Sequence, residues 1–233
     1  MQNTLFFVIG ASIINKISDY VDTIAVPGLN LQNECKIATI LNTLQDIKTK
    51  YEKQPIILAI TDLGNSIFPG QRRGKCYVFR KRIPTAIEYA KKFHEFVRKI
   101  TDILPEARIL IVPTLIRRPY KCHVHCNNCI FFVNPVEKLK MIYEIHSDYY
   151  RNFDQIHVIS YEQIMTYFCK NQTKISFQNG CPVSFIAKEL LNCSICRHKH
   201  NDYIHPCCRE AIKKYGTFFQ DLFRDFCRES GIN

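Results

Sequence analysis

The sequence lacks any apolar run that approaches the roughly 20 residues required by a membrane-spanning helix. Its first apolar run, residues 5–9, is short, and no Lys or Arg precedes it, which is not the pattern of a cleaved signal peptide. No segment is of low complexity, which argues against a largely disordered chain. We therefore expect a chain without a transmembrane segment that resides in a reducing intracellular compartment, either cytoplasmic or nuclear.

Acidic residues are scarce beside basic ones, with 21 Asp and Glu against 32 Lys and Arg, a formal net charge of +11. Such a protein attracts anionic partners, and nucleic acid, phospholipid headgroups and acidic glycans all meet this criterion. Basic residues cluster at 72–82, where Tyr77 and Phe79 alternate with them, and again at 117–121. These clusters fit solvated faces, a loop that holds an anionic substrate, or a surface for single-stranded nucleic acid, although no nucleic-acid motif is complete.

The apolar segments predict one α/β domain over residues 1–233. The chain is 46% hydrophobic, enough to bury a full core, and short apolar runs alternate with helical stretches. Strands are predicted at 5–9, 22–26, 56–60, 109–112 and 156–159, and helices at 31–51, 83–104, 135–150 and 207–227. The expected fold is a three-layer, flavodoxin-like sheet of about five parallel strands with helices on both faces. Cys-rich insertions are expected at about 117–134 and 181–200.

One predicted helix, 83–104, carries a regular apolar stripe. Its spacing follows the period of an α-helix, so we expect the whole stripe to face the core. The stripe consists of Ile83, Ala86, Ile87, Ala90, Phe93, Val97 and Ile100.

A serine stands where a predicted buried strand ends and a helix begins. Ser12 follows the run 5–9 and precedes a helix expected from near Ile13. At a helix N-terminus, free N–H groups and the positive end of the dipole favour a developing oxyanion, as acyl transfer to serine requires. The nucleophile also needs a base, and His205 could take its proton while Asp202, three residues earlier, orients the imidazole.

Two further residues supply hydrogen-bond donors just after predicted strands. Gly28 has no side chain that would keep a substrate from its backbone N–H, and Asn65 carries a neutral amide donor. With the Ser12 N–H they could form a three-donor oxyanion hole. Ligands of open parallel sheets bind beyond the carboxyl ends of the strands, so we expect these residues to share one site.

Four segments together resemble the SGNH (GDSL-like) hydrolase superfamily, whose blocks carry Ser, Gly, Asn and a final Asp-x-x-His in that order. The segments are Gly10-Ala11-Ser12, Pro27-Gly28, Leu63-Gly64-Asn65 and Asp202-Tyr203-Ile204-His205. The resemblance spans about residues 5–228 and implies the SGNH form of the flavodoxin-like fold. It makes Ser12 the nucleophile, with His205 as base and Asp202 as its partner. Gly28 and Asn65 become oxyanion donors, and no cofactor takes part in catalysis.

The resemblance implies a serine esterase that acts on a small ester, such as an acetylated sugar or a lipid. Two positions depart from the family pattern. Ala11 stands where the first block usually has Asp, and Ser66 follows Asn65 where the third block usually has Asp, although a serine hydroxyl still donates and accepts hydrogen bonds. The alternative function is a catalytically degenerate SGNH-like, zinc-stabilised module that binds nucleic acid or protein.

Each candidate site residue also has a purely structural interpretation. Ser12 could cap the first helix, and Gly28 and Asn65 could be turn residues. His205 could be a zinc ligand, in which case the base would be lost. The other blocks favour a catalytic Ser12 over a cap, and the preference for catalysis rests mainly on the position of Asp202-x-x-His205.

Cysteines are abundant, 12 in all, and two groups of them have the spacing of metal ligands. Paired Cys-x-x-Cys segments can place four thiolates around one Zn²⁺, and we expect a structural zinc that joins the two insertions. The preferred ligands are Cys126, Cys129, Cys193 and Cys196, and the substitutes are Cys122, His198 and Cys207. A catalytic zinc, disulfides and free buried thiols are the alternatives.

Overall fold

A computed structural model describes residues 4–61, 63–67, 70–73, 76–79, 83–113, 135–168 and 209–231. Its strands are β1 (Leu5–Gly10), β2 (Asp22–Ala25), β3 (Ile56–Thr61), β4 (Gly70–Arg73), β5 (Cys76–Phe79), β6 (Arg108–Val112) and β7 (Ile156–Val158). Its helices are α1 (Ser12–Asn15), α2 (Glu34–Lys50), α3 (Gly64–Ile67), α4 (Ala86–Ile103), α5 (Pro135–Tyr150), α6 (Tyr161–Phe168) and α7 (Arg209–Glu229).

Five strands form one parallel sheet in the order β2-β1-β3-β6-β7, while β4 and β5 pair as a separate antiparallel hairpin. Without the hairpin, the order in the sheet is that of a flavodoxin-like fold, so the predicted fold class is confirmed. The order reverses between β1 and β3, which pair in register with Ile9 opposite Ile60. The outer strands are β2, with four residues, and β7, with three.

Helices cover both faces of this sheet. Successive residues of a strand point to opposite faces, so the apolar strands have two faces to bury. One apolar cluster joins alternate strand residues such as Leu58 to α2, α4 and α5. The other joins the intervening residues, such as Val8, to α1, α6 and α7. All six residues of β3 are buried, as expected for a central strand covered on both faces.

The predicted strands agree with the observed ones to within one residue at each end, and α5 has the predicted bounds. Five elements were not predicted as such: α1 in its short form, α3, the two strands β4 and β5, and α6. The helix expected from near Ile13 is only four residues long, after which the chain turns through Ile17 and Tyr20 toward β2.

The expectation that the whole apolar stripe of 83–104 faces the core is wrong at two positions. Ile83 is 36% exposed and Ile87 is 69% exposed. Thr85 caps α4 in a capping box with Glu88, so Ile83 precedes the helix. Ile87 lies about 100° around the helix from the buried Ala86, outside the buried face. The other stripe residues are buried, and so are two aromatic residues outside it, Tyr89 and Phe96.

Both predicted Cys-rich insertions, about 117–134 and 181–200, lie outside the described residues, so the domain organisation stays a prediction there. Across the parts of the chain that the structure describes, no helix is both long and apolar enough to cross a membrane.

Candidate active site

The structure places three of the candidate site residues at one edge of the sheet. Ser12 begins α1 directly after β1, Gly28 lies in the loop after β2, and Asn65 lies in α3 after β3. The three strands are neighbours and parallel, so their carboxyl ends meet at the same edge. The Val26 N–H donates to the Gly10 carbonyl at 3.0 Å, which ties the loop of Gly28 to the end of β1. This is the expected location, while the catalytic roles remain predictions.

The turn that carries Ser12 sits close to the end of β3, and Gly10 makes this possible. A Cβ atom on Gly10 would lie 2.4 Å from Ile14 Cγ1 and 2.6 Å from Thr61 Oγ1. The buried Thr61 hydroxyl donates to the Ile9 carbonyl at 3.2 Å and fixes the same strand end. Because α1 is so short, the N–H groups of its first turn, rather than a helix macrodipole, would act on an oxyanion.

Gly28 belongs to a tight turn of type II character. The Leu29 N–H donates to the Val26 carbonyl at 3.0 Å, Pro27 takes the second position, and Gly28 has φ +66°. In such a turn the N–H of the third residue points outward, and within the described ranges the Gly28 N–H has no hydrogen-bond acceptor. Lys36 Nζ donates to the Pro27 carbonyl at 2.5 Å. Gly28 is therefore a turn residue whose geometry also suits an outward donor.

Ser66 joins the turn of Asn65 to the loop that follows Gly28. It is 4% exposed, and its Oγ accepts a hydrogen bond from the Leu31 N–H at 2.8 Å. The same hydroxyl lies 3.5 Å from Asn30 Oδ1. The Ser66 hydroxyl thus links the turn of Asn65 to the loop that follows Gly28.

Two long side chains fix the turn of Asn65 from α4 and α5. The Tyr89 hydroxyl accepts a hydrogen bond from the Leu63 N–H at 3.1 Å. Lys138 Nζ donates to the Ile67 carbonyl at 2.9 Å and to the Pro84 carbonyl at 2.5 Å. Burial lowers the pKa of Lys138 to about 8.

The sequence interpretation missed these anchors because their partners are distant along the chain. For Lys138 a signal was present. It lies four residues before the buried Ile142, on the inward side of α5, where a lysine needs polar partners. For Tyr89 and Thr61, nothing in the local sequence distinguishes an anchoring hydroxyl from an ordinary core residue.

A cleft of about 510 Å³ opens beside the turn of Asn65, between the residues that precede α2 and the first half of α4. Its volume is in the range of small-molecule sites. The cleft is lined by the buried Leu31, Ser66 and Tyr89 and, among exposed residues, by Lys91, Lys92 and Glu95.

The remaining candidate residues lie outside the described part of the chain. These are Asp202 and His205, the preferred zinc ligands Cys126, Cys129, Cys193 and Cys196, and the substitutes Cys122, His198 and Cys207. Among described residues, no three His, Cys, Asp or Glu side chains gather into a group that could hold a metal ion.

A scan against protein families gives no match, and a search of the curated proteins gives none either. Several solved structures are similar. One, provisionally assigned as a platelet activating factor from Streptococcus pneumonia, has 11% identity and a TM-score of 0.46, over 94% of this chain and 83% of that one. A provisionally assigned GDSL-like lipase from Bacteroides ovatus ATCC 8483 has 14% identity and a TM-score of 0.45, over 100% of this chain and 55% of that one.

A third structure, of a possible lipase from Chitinophaga pinensis DSM 2588, has 13% identity and a TM-score of 0.45, over 98% of this chain and 99% of that one. At such identities and TM-scores, no activity is transferred from these proteins to this chain. The function proposed next rests on the chain's own residues.

Proposed function

We propose that this chain is an SGNH-like serine hydrolase that cleaves a small ester. Ser12 attacks the ester carbonyl carbon while His205 takes the hydroxyl proton and passes it to the leaving alcohol, and Asp202 orients the imidazole. Water then attacks the acyl-enzyme, again with His205 as base, and the acid is released. The observation that carries the proposal is the convergence of Ser12, Gly28 and Asn65 beyond three neighbouring parallel strands, at the reversal of strand order.

Three donors would stabilise the oxyanion of the tetrahedral intermediate: the N–H groups of Ser12 and Gly28 and the Asn65 amide. The outward N–H of the Gly28 turn supports this assignment. One donor of this kind contributes about 10²–10³ in rate. Ser66 and Tyr89 support it indirectly, because they hold the turn of Asn65 at a fixed position relative to the loop of Gly28 and to α4.

The substrate we propose is a small ester that binds in or beside the 510 Å³ cleft at the turn of Asn65. An anionic group on the ester would be favoured by the net charge of +11. The charges that line the cleft balance, because Lys91 and Lys92 lie there with Glu88 and Glu95. Two further basic residues, Arg72 and Arg73, lie in the β4–β5 hairpin, which follows α3 in the chain.

The test is labelling of the purified protein with a fluorophosphonate probe, which reacts with activated serines. We expect labelling of wild type, and its loss in Ser12→Ala and His205→Ala variants that remain folded by circular dichroism. Ser18→Ala is the matched control, because Ser18 is an exposed serine in the turn after α1 that donates to the Asn15 carbonyl at 3.1 Å. The proposal would be contradicted if folded wild type were not labelled, or if the Ser12→Ala variant were labelled like wild type.

We further propose that one structural Zn²⁺, held by Cys126, Cys129, Cys193 and Cys196, joins the two insertions. Four thiolates suit a closed tetrahedral site that contributes folding energy and no chemistry. The proposal requires reduced thiols and therefore a reducing intracellular compartment.

A second candidate function, a module that binds single-stranded nucleic acid, is favoured by one specific observation. The basic and aromatic residues of 70–79 form an antiparallel hairpin in which Arg72 pairs with Tyr77 and Arg73 with Cys76. Phosphate attraction and base stacking need this combination of residue types. If labelling fails in a folded protein, binding of a fluorescent single-stranded oligonucleotide that weakens steeply with salt would support this function instead.

A further inference from the structure

Lys138 connects three elements near the proposed oxyanion hole. It lies in the first turn of α5, and its ammonium donates to the carbonyl of Ile67, the last residue of α3, and to that of Pro84, just before α4. We propose that Lys138 is a positioning residue that clamps α3 against the start of α4 and so sets the position of Asn65 in the oxyanion hole. This inference rests on the proposed hydrolase function.

The clamp acts at short range on Asn65. α3 has only four residues, and Asn65 lies two positions before Ile67, so a shift of the Ile67 carbonyl moves the turn that carries Asn65. Hydrogen bonds from an ammonium group are roughly twice as strong as neutral ones. Oxyanion donors act through exact placement, and a displacement of about 1 Å lowers the rate by as much as 10²-fold.

Titration of Lys138 gives the clamp a pH dependence. Burial lowers the pKa of Lys138 from its ordinary value of 10.5 to about 8, and Glu88 of α4 partly opposes this shift. The four residues of α3, Gly64-Asn65-Ser66-Ile67, carry no charged side chain. Above pH 8 the ammonium becomes an amine, both hydrogen bonds lose their charge assistance, and the turn of Asn65 is held less firmly.

Global stability should change in the opposite direction. The folded-state pKa of Lys138 lies below the unfolded value, so between pH 8 and 10.5 the unfolded chain binds more protons than the folded one. The contribution of this group to the free energy of unfolding therefore rises with pH across that window. A fall in serine reactivity above pH 8 without a fall in melting temperature would separate positioning from general destabilisation.

The test compares Lys138→Met, Lys138→Arg and, as control, Lys140→Met. Lys140 lies on the same helix with a 72% exposed side chain, paired at 3.8 Å with Glu144. The second-order rate constant of fluorophosphonate labelling at Ser12 and the melting temperature are measured from pH 6 to 10. We expect Lys138→Met to be about tenfold slower than wild type at pH 7 and to lack the decline above pH 8.

Lys138→Arg, which stays charged throughout this range, should also lack the decline while remaining closer to wild type at pH 7. Lys140→Met should match wild type, including its decline. The inference would be overturned if folded Lys138→Met were labelled as fast as wild type at pH 7 and slowed above pH 8 as wild type does. It would also be overturned if the labelling rate of Lys138→Arg fell above pH 8 as that of wild type does. A melting temperature that falls in parallel with the rate would overturn it as well.

If wild type is not labelled at Ser12, the proposed hydrolase function is wrong. Amide hydrogen exchange then tests separately whether Lys138 holds α3 in place. The Ser66 and Ile67 N–H groups donate to the Leu63 carbonyl at 2.7 Å and 3.2 Å, so their exchange reports the stability of α3. We expect exchange at 63–67 to be several-fold faster in Lys138→Met than in Lys140→Met. Equal exchange in the two variants would show that Lys138 does not hold α3.

Discussion

Gly28 shows how one residue can serve a turn and a site together. Its positive φ is required by the chain reversal that follows β2, and the same conformation turns its N–H outward. The Pro27-Gly28 pair predicts the turn from sequence alone. The neighbouring lysine could not be predicted, because Lys36 reaches the turn from the first turn of α2.

Gly28→Ala should lower both stability and serine reactivity. An L-residue at φ +66° costs about 1–2 kcal/mol, while the added Cβ would meet only the mobile tip of Lys36, at 2.8 Å, so backbone strain dominates. Gly231→Ala is the matched control, since it has φ +64° with nothing within 4 Å. Because Gly231 follows the last helix, its strain is released by fraying, and labelling should be unchanged.

Urea unfolding and the labelling rate measure the two effects. A Gly28→Ala variant with wild-type stability and wild-type labelling would contradict the role given to this turn. Reduced stability with unchanged labelling would mean that Gly28 serves only the turn.

At the scale of elements, α7 approaches the chain between α1 and β2 closely enough to require a glycine. A Cβ on Gly216 would lie 2.6 Å from both Cβ and Cγ of Tyr20, and the Gln220 amide donates to the Tyr20 carbonyl at 2.7 Å. This contact joins α7 to the residues that lead into an outer strand. It also explains a glycine within a helix, where glycine is ordinarily unfavourable.

Gly216→Ala should have two opposing effects on the free energy of unfolding. Helix propensity favours alanine by about 1 kcal/mol, but overpacking against the base of Tyr20, which cannot swing away, costs about 1–3 kcal/mol. We expect net destabilisation of about 1 kcal/mol, measured by urea unfolding. In a Tyr20→Gly background, which also removes the Cβ at 2.6 Å, the same substitution should become stabilising. Destabilisation of equal size in both backgrounds would exclude this contact as its cause.

The elements that sequence predicts best are the strands of the main sheet, and the central ones are buried along almost their whole length. Strands of a doubly covered sheet are continuous apolar runs, so their bounds emerge from composition alone. α3 was missed because distant side chains hold it, Tyr89 through Leu63 and Lys138 through Ile67. The inward orientation assigned to Ile87 failed because it lies about 100° around the helix from the buried Ala86, outside the face formed by the other buried residues of α4.

At the scale of the whole molecule, strand order makes the candidate site. The order β2-β1-β3 brings together residues that follow three different strands, and the periodicity of the apolar runs predicts that Ser12, Gly28 and Asn65 follow strands. The supporting contacts are set by packing between helices, which a single sequence does not encode in a readable pattern. The roles of Asp202 and His205 stay predictions.

Zinc removal should destabilise the whole molecule if the metal joins the two insertions. We expect about one Zn²⁺ per chain by elemental analysis and a lower melting temperature after chelation, because metal binding is coupled to folding. Cys126→Ser and Cys193→Ser should reduce the zinc content. Cys35→Ser is the control, since Cys35 is an exposed free thiol at the start of α2. A zinc-free protein of unchanged stability would exclude the structural metal.

Within the described ranges, the outermost strands of the main sheet are also its shortest, β2 and β7, of four and three residues. A strand at the rim of a sheet exposes unpaired N–H and C=O groups that another chain can recruit, and short rims offer few of them. Growth of the sheet from one copy of this protein into the next is therefore disfavoured by the architecture itself. A highly basic chain of this kind adds charge repulsion between copies, so the fold resists ordered aggregation by geometry and by charge at once.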